Sequence, residues 1–465
     1  MSETSDDTRE TYTREQIERW DDAYVWHPFT PHSVYRDDDP LTIVAGEGNY
    51  LIDIDGDRYL DGVASIWCNP FGHRRDEIDE AIREQLDHIA HSTLLGNAND
   101  RSVLLAKRLV ELAPGNLAKT FFSDDGSTAM EIALKMAIQF WQQVDGGSQN
   151  QRKRFLAFGN QYNGDTVGAV SMGGIDLFHS TFQPLLFDVV RAPSPYVYDR
   201  PAGMSRPEAV ERFVGRFDEL FAEHADELAA VVMEPGMQGA GGMIDFPDGF
   251  LSHVREVTER HGVLLILDEV AMGMGRTGEM FACEHEGVVP DLMAVSKMLS
   301  GGYMPLAATL TTDRVYEAFL GAPEEGRTFF HGHTYTGNAL GCAAALATLD
   351  IFEEEEVLKN LKPTIARFER ELARLEDVRW VGEVRQMGLA AGVELVEDPD
   401  KRESFDPEHR VGKKVCLEAR KRGVFLRPLG DVIVLMPPLS VTEDELERLV
   451  DVVAEGIREV APAIE

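Results

Sequence analysis

From about Asp76 to Phe352 the chain alternates short, uninterrupted apolar runs with longer stretches whose apolar residues recur every three or four positions. The runs KTFF (119–122), RFLAF (154–158), AAVVM (229–233), VLLIL (263–267), LMAV (292–295) and LAATL (306–310) have strand length and little polar alternation, as strands covered on both faces do. Between them RSVLLAKRLVEL (101–112), STAMEIALKMAIQFW (127–141) and GFLSHVREVTERHG (249–262) carry helical spacing, with Gly262 a natural stop. Strand and helix in alternation predict an α/β fold on a mainly parallel sheet with helices on both faces.

Beyond about Leu361 the texture changes. A charged helical pattern (365–375), a strand-like GLAAGVEL (388–395), a basic helical pattern (410–422), the run VFLRPLGDVIVLMPPL and an amphipathic stretch from Glu443 predict a smaller α+β domain. Near the other end, GEGNYLIDIDGDRYLDG (46–62) reads as two strands around an Asp55-Gly56-Asp57 turn and is expected to join that smaller domain in space. The predicted organisation is an N-terminal segment (1–75), a large α/β domain (76–352) and a C-terminal small domain (353–465). No repeat at solenoid-like periods interrupts it.

Length adds that 465 residues can bury a large core divided between lobes. No run reaches the roughly 18 apolar residues that span a bilayer. The first ten residues, MSETSDDTRE, lack the basic start and apolar centre of a secretory signal, and Cys68, Cys283, Cys342 and Cys416 are far apart. A reduced, cytoplasmic protein is expected.

Charge changes the picture more. Eighty-one acidic against 45 basic residues give −36, a surface that repels nucleic-acid phosphates and anionic lipid, so neither nucleic acid nor membrane is an expected partner. Clusters such as Asp37-Asp38-Asp39 and Glu353 to Glu356 read as solvated faces. Self-repulsion of this size weakens the compact state in dilute buffer, whereas near 1 M salt the screening length falls to ~3 Å. The composition predicts a halophilic-type acidic surface suited to a salty cytoplasm.

In open parallel sheets ligands gather beyond the carboxyl ends of the strands. Run 119–122 leads into SDDGSTAMEIALK, where Gly126 and Ser127 open a strong helix whose free amides and dipole suit a phosphate. Run 263–267 ends in Asp268-Glu269, and run 292–295 ends in Ser296-Lys297, which brings an acid and an amine to neighbouring strand ends. A buried carboxylate is tolerable beside a cation such as a pyridinium nitrogen, and a desolvated lysine can form a Schiff base with an aldehyde. Phosphate seat, acid and lysine together describe a site for pyridoxal phosphate. Each feature alone has a plainer explanation: a turn with its cap, a loop-capping Asp268, a Lys297 exposed at a strand end.

Two rival chemistries are weaker. Gly273-Met274-Gly275-Arg276-Thr277-Gly278 fits the dinucleotide fingerprint, yet the acids precede it and no convincing helix follows. Cys283, His285, His331 and His333 lack the four-ligand spacing of a zinc site, so no metal is expected. A catalytically dead scaffold is disfavoured by retention of Lys297 and Asp268.

The segments SDDGSTAMEIALKMAIQFW, LILDEVAMGMGRTGEMFACEHEGVVPDLMAVSKMLSGGYMPLAATL and HGHTYTGN resemble class III pyridoxal-phosphate aminotransferases. More narrowly, WHPFT (26–30), AHSTLLG (90–96), GDTVGAVS (164–171) and FLRPLGDVIVLMPPL (425–439) resemble the branch that aminates 8-amino-7-oxononanoate in biotin synthesis. The resemblance runs from about Trp26 to the C-terminus. It implies the fold type I architecture of pyridoxal-phosphate-dependent transferases, a homodimer with shared active sites, and transamination to 7,8-diaminononanoate. The usual donor in this branch is S-adenosylmethionine; a lysine-dependent enzyme, or another class III ω-amino acid or diamine aminotransferase, is the alternative.

Carried onto this sequence, the resemblance makes Lys297 the Schiff-base lysine and Asp268 the partner of the ring nitrogen. Gly126 and Ser127 hold the phosphate, which Thr334, beside His333, reaches from the second subunit. Tyr162 packs on the ring and borders the substrate, Trp67 and Gly332 line the pocket, and Arg427 pairs with the carboxylate of the keto substrate. Arg276 is read as a structural anchor ahead of a substrate contact. The chain departs from the usual family pattern at Asn163 (often histidine), Ile66 (often tryptophan), Phe29 (often tyrosine) and His333 (often proline). The combination of SIW, IAHSTLLG and HGHTYTGN is closer to lysine-using members.

Overall fold

The computed structural model describes residues 12–464, so the ten residues read for a targeting signal lie outside the described part. In chain order the strands are β1 (Ile43–Glu47), β2 (Tyr50–Asp53), β3 (Arg58–Asp61), β4 (Leu117–Ser123), β5 (Arg154–Phe158), β6 (Val190–Ala192), β7 (Leu228–Met233), β8 (Met237–Gln238), β9 (Ile244–Asp245), β10 (Leu264–Asp268), β11 (Leu292–Val295), β12 (Ala307–Thr312), β13 (Val381–Met387), β14 (Ala390–Leu395), β15 (Val424–Phe425), β16 (Arg427–Leu429) and β17 (Val432–Leu435).

Seven of them form the central sheet in the order β4–β12–β11–β10–β7–β5–β6. All six apolar runs are strands of it, and β7, β10 and β11 are buried at every residue, which accounts for their unbroken apolar texture. Pairing is parallel from β11 through β10, β7 and β5 to β6. β12 runs antiparallel to both β11 and β4. The link 296–306 is too short for the crossover helix that a parallel return needs.

A second sheet has the order β1–β2–β3–β15 and a third the order β13–β14–β17–β16. In the second, Val424 pairs with Leu60 and Phe425 with Asp61. The N-terminal hairpin therefore shares a sheet with the C-terminal part of the chain, as its sequence suggested. The charged helix spans Val357–Ala373, longer than the predicted 365–375, because Leu361, Phe368 and Leu372 form one buried stripe that reaches back through Pro363. The final helix, Glu443–Val460, starts from a reciprocal cap between Thr442 and Glu445 and buries Leu446, Leu449, Val450, Val453 and Ile457. Among the described residues no helix is long and apolar enough to cross a membrane.

Between β3 and the helix Asp76–Leu86 the chain makes an unusual turn. Ala64, Ser65, Ile66 and Trp67 all have positive φ (46°, 49°, 70° and 68°), a left-handed turn of non-glycine residues. Such a conformation costs roughly 1–2 kcal/mol per residue. Hydrogen bonds from Trp67 N–H to Val63 C=O (2.7 Å) and Cys68 N–H to Ala64 C=O (2.9 Å) close it, and Ala64 and Trp67 are buried.

Candidate active site

β10 and β11 run parallel with Asp268 opposite Ala294, so Asp268 and Lys297 emerge at the same edge of the sheet. Both line one cavity of about 470 Å³, together with Trp67, Gly126, Ser127 and Tyr162. The sequence reading of a common crevice for acid and amine is thus realised in space. Lys297 follows Ser296, whose hydroxyl donates to Leu306 C=O at 2.8 Å, and itself has φ +48°. A left-handed lysine is a strained one, held by the surrounding packing. Its Nζ lies 4.5 Å from the centre of the Trp67 ring. Burial lowers the amine's pKa below the usual lysine range, while Asp268 and Glu234 pull it back up.

Asp268 accepts two hydrogen bonds, from Val270 N–H to Oδ1 (3.0 Å) and from Asn163 Nδ2 to Oδ2 (2.6 Å). Burial raises its pKa; these two donors and Lys297 oppose the rise. Its neighbour Glu269 serves another purpose. Both Glu269 oxygens accept backbone N–H groups at 2.9 Å, from Ala282 and Cys283, so this carboxyl anchors the following loop, and burial pushes it up to about 7.

The helix Gly126–Gln143 opens onto the same cavity. Its cap residue Asp125 accepts from Thr128 N–H at 2.9 Å, which leaves the amides of Gly126 and Ser127 for a ligand. A Cβ on Gly126 would meet Val270 Cγ1 at 2.7 Å. Gly164, at φ +115°, lets its loop press against the helix start, where a Cβ would lie 2.0 Å from Ser127 Oγ. The same loop carries Tyr162, whose hydroxyl donates to Asp165 Oδ2 (2.8 Å) and whose N–H donates to Glu234 Oε1 (3.1 Å).

Glu234 also lines the cavity and was not singled out by sequence. Its Oε2 accepts Gly239 N–H at 2.8 Å, and burial, with the nearby Asp268 charge, pushes its carboxyl up to about 8. The signal was present: Glu234 directly follows the run AAVVM, as Asp268 follows VLLIL. Gln161 and Asn163, behind Asp268, were also unassigned.

Other expected residues lie outside this cavity within one chain. Gly332 and Thr334 are exposed, and His333 Nδ1 lies 3.3 Å from Asp124 Oδ2, Asp124 being a cavity residue. Arg427 is exposed at the start of β16. Leu429 and Gly430 of the same hairpin line a second cavity of about 240 Å³, which shares Ala240 with the first. Arg276 is fully buried and donates to the carbonyls of Leu389 (3.1 Å) and Pro437 (2.6 Å), the anchoring role expected of it. Of the family departures, Ile66 points to solvent, while Phe29 packs edge-on against Phe178 (5.2 Å), which in turn meets Tyr162 (6.4 Å).

Residues 273–278 form turns with no α-helix behind them, so the fingerprint-like glycines do not make a strand-to-helix nucleotide turn. By contrast, an amine, a carboxylate held as an acceptor and a helix start with available amides across one cavity match a ring that bears an aldehyde, a basic nitrogen and a phosphate. The residues present therefore fit pyridoxal phosphate.

The class III aminotransferase family model matches residues 33–457. The adenosylmethionine-8-amino-7-oxononanoate aminotransferase of Geobacter sulfurreducens is 53% identical over 97% of this chain and 99% of its own. The crystal structure of the enzyme of that name from Methanocaldococcus jannaschii superposes with a TM-score of 0.91 at 46% identity, covering 96% of this chain and 100% of that one. An omega transaminase from Pseudomonas jessenii in complex with PMP gives a TM-score of 0.90 at 30% identity, covering 96% and 98%.

Proposed function

The chain belongs to the class III aminotransferases, which depend on pyridoxal phosphate, and from that premise we propose that it aminates 8-amino-7-oxononanoate to 7,8-diaminononanoate in biotin synthesis, with S-adenosylmethionine as donor. The observation that carries the chemistry is the buried pair of Lys297 and Asp268 on one cavity. Support for the substrate comes from the like-named relatives and from Arg427, a guanidinium with no ion-pair partner among the described residues, on the hairpin that borders the adjoining cavity. We further propose that the protein acts in the cytoplasm as a homodimer. The exposure of Phe330 and Tyr335, which flank Gly332, His333 and Thr334, supports a partner subunit covering this segment.

When bound, pyridoxal phosphate supplies the electron sink that lets the carbon beside an amine release its proton. In this reading Lys297 Nζ, whose pKa burial lowers, takes that proton and later returns it. Asp268 presents an acceptor to the ring nitrogen and keeps it charged. The first-turn amides at Gly126 and Ser127 hold the phosphate, joined by Thr334 and His333 of a second copy. Tyr162 and Trp67 confine the flat ring. Arg427 holds the acceptor's carboxylate and so fixes which end of the chain reaches the amine.

The decisive experiment is a donor and acceptor panel with purified protein: 8-amino-7-oxononanoate as acceptor, and S-adenosylmethionine, lysine and common amino acids as donors. Amination with S-adenosylmethionine alone is the expected result. Turnover with lysine in its place reassigns the donor, and turnover only with simple ω-amines or diamines overturns the substrate.

A further inference from the structure

We propose that Gln161 and Asn163 form a directional amide relay that holds Oδ2 of Asp268 as a hydrogen-bond acceptor, as Val270 N–H holds Oδ1, and that they are positioning residues for the cofactor. The inference rests on the reading of Asp268 as partner of the ring nitrogen.

The relay begins at a group whose polarity is fixed. Phe158 N–H, at the end of β5, donates to Gln161 Oε1 at 3.1 Å. A backbone N–H can only donate, so the Gln161 amide has one orientation, with Nε2 turned toward Asn163. Gln161 Nε2 donates to Asn163 Oδ1 at 2.6 Å, which turns Asn163 Nδ2 toward Asp268. Asn163 Nδ2 donates to Asp268 Oδ2 at 2.6 Å. From the other side Val270 N–H, equally irreversible, donates to Oδ1. Gln161 and Asn163 are both buried, Asn163 at the wall of the cavity.

A proton on Asp268 consequently has no acceptor on the relay side or at Val270. It could only point into the cavity, where the ring nitrogen belongs. The charged and titratable groups facing Asp268 there are Lys297 from the end of β11, Glu234 from the end of β7 and Tyr162 from the loop after β5. Neither side-chain amide of the relay titrates, so the acceptor state is imposed independently of pH. The departure at Asn163 thus becomes intelligible: an amide transmits the direction of a backbone N–H, and Gln161 connects the two.

Gln161→Glu tests the direction rather than the presence of the contact. A carboxylate at this position has no proton to give, so Asn163 turns its Nδ2 toward it and its Oδ1 toward Asp268, reversing the relay. Protonation of the introduced carboxylate at lower pH restores the original direction. Equilibrium retention of pyridoxal phosphate and its visible absorbance, measured on the loaded protein from about pH 6 to about pH 8.5, read this out. Retention in Gln161→Glu is expected to fall about tenfold or more toward the alkaline end and to recover toward the acid end, the size of one pKa unit at Asp268. Gln161→Met, which removes the amide without reversing it, is expected to lose less and without pH dependence. Equal losses in the two variants, or a loss in Gln161→Glu that does not vary with pH, overturn the relay. If Gln161→Glu does not fold, Asn163→Leu deletes the relay's donor to Oδ2 and leaves only Val270 N–H on Oδ1; a spectrum that becomes pH-dependent supports the proposal, and one identical to the wild type across the range overturns it. A wild-type protein with no borohydride-trappable visible band overturns instead the cofactor reading on which the relay depends.

Discussion

The ammonium of Lys297 stands 4.5 Å from the centre of the Trp67 indole, so the amine of the site is buried against an aromatic face. The ring favours the charged amine, whereas desolvation favours the neutral one. Trp67→Leu removes the first influence, a cation–π contact worth about 0.5–2 kcal/mol, and should lower the amine's pKa further. Measured as the pH dependence of reaction between the cofactor-free protein and pyridoxal phosphate, the midpoint should move to lower pH. A midpoint that moves upward contradicts the assignment.

Lys297→Ala should reduce turnover by at least about a thousandfold, since proton transfer by a positioned base contributes roughly 10²–10⁴-fold and the covalent tether is lost as well. Cofactor can still bind noncovalently through the helix start at Gly126 and Ser127. Half-transamination followed by borohydride reduction separates the two functions, and near-normal turnover would exclude Lys297 as the reacting amine.

Glu234 predicts a slope of stability with pH. Its carboxyl is raised from its ordinary value of 4.5 to about 8, so between those values the folded chain holds a proton that the unfolded chain releases. The folded state is therefore favoured below the lower value, and the advantage is lost as pH rises through the upper one, by up to about 1.4 kcal/mol per pH unit. Glu269, raised to about 7, contributes with the same sign over a lower window. Glu234→Gln should flatten the decline between about pH 7 and pH 8, where Glu269 has largely titrated. Denaturant melts of the cofactor-free protein at several pH values measure it; an unchanged slope removes Glu234 as its source.

Arg427→Ala should raise KM for the carboxylate-bearing ketone by about tenfold or more, the loss of a charge-assisted pair, and leave the donor half-reaction unchanged. Arg427→Lys should recover only part of the loss, because a point charge lacks the planar fork. Equal effects on the two half-reactions would place Arg427 away from the acceptor's carboxylate.

With a net charge of −36, the midpoint of thermal unfolding should rise by several degrees between dilute buffer and molar potassium chloride. Salt also weakens surface ion pairs such as Arg83 with Asp79, but these are worth under about 1 kcal/mol each, whereas the excess repulsion acts over the whole surface. Equal midpoints at the two salt concentrations would count against a salt-adapted surface.

The two residues at the centre of the site were legible because both follow buried apolar strands, and neighbouring strand ends of a parallel sheet share an edge. The same rule reaches Glu234, which was passed over. Strand direction was not legible: LAATL reads the same whether β12 runs with or against β11, and only the length of the link 296–306 decides it. Nor could spacing reveal the left-handed turn at Ala64–Trp67, since none of its residues is glycine and its conformation depends on the burial of Ala64 and Trp67 by distant parts of the chain. The relay behind Asp268 was hidden for a related reason. Gln161 and Asn163 are ordinary polar loop residues until Phe158 and Asp268 are brought to either end of them.

The pairing of Leu60 with Val424 has a bearing on biogenesis. The ribosome makes β3 long before its partner strand exists, so one edge of the early hairpin stays open during most of translation, when stray strand pairing is easiest. A transcript cut short before codon 424 should accordingly yield insoluble material rather than a sluggish catalyst.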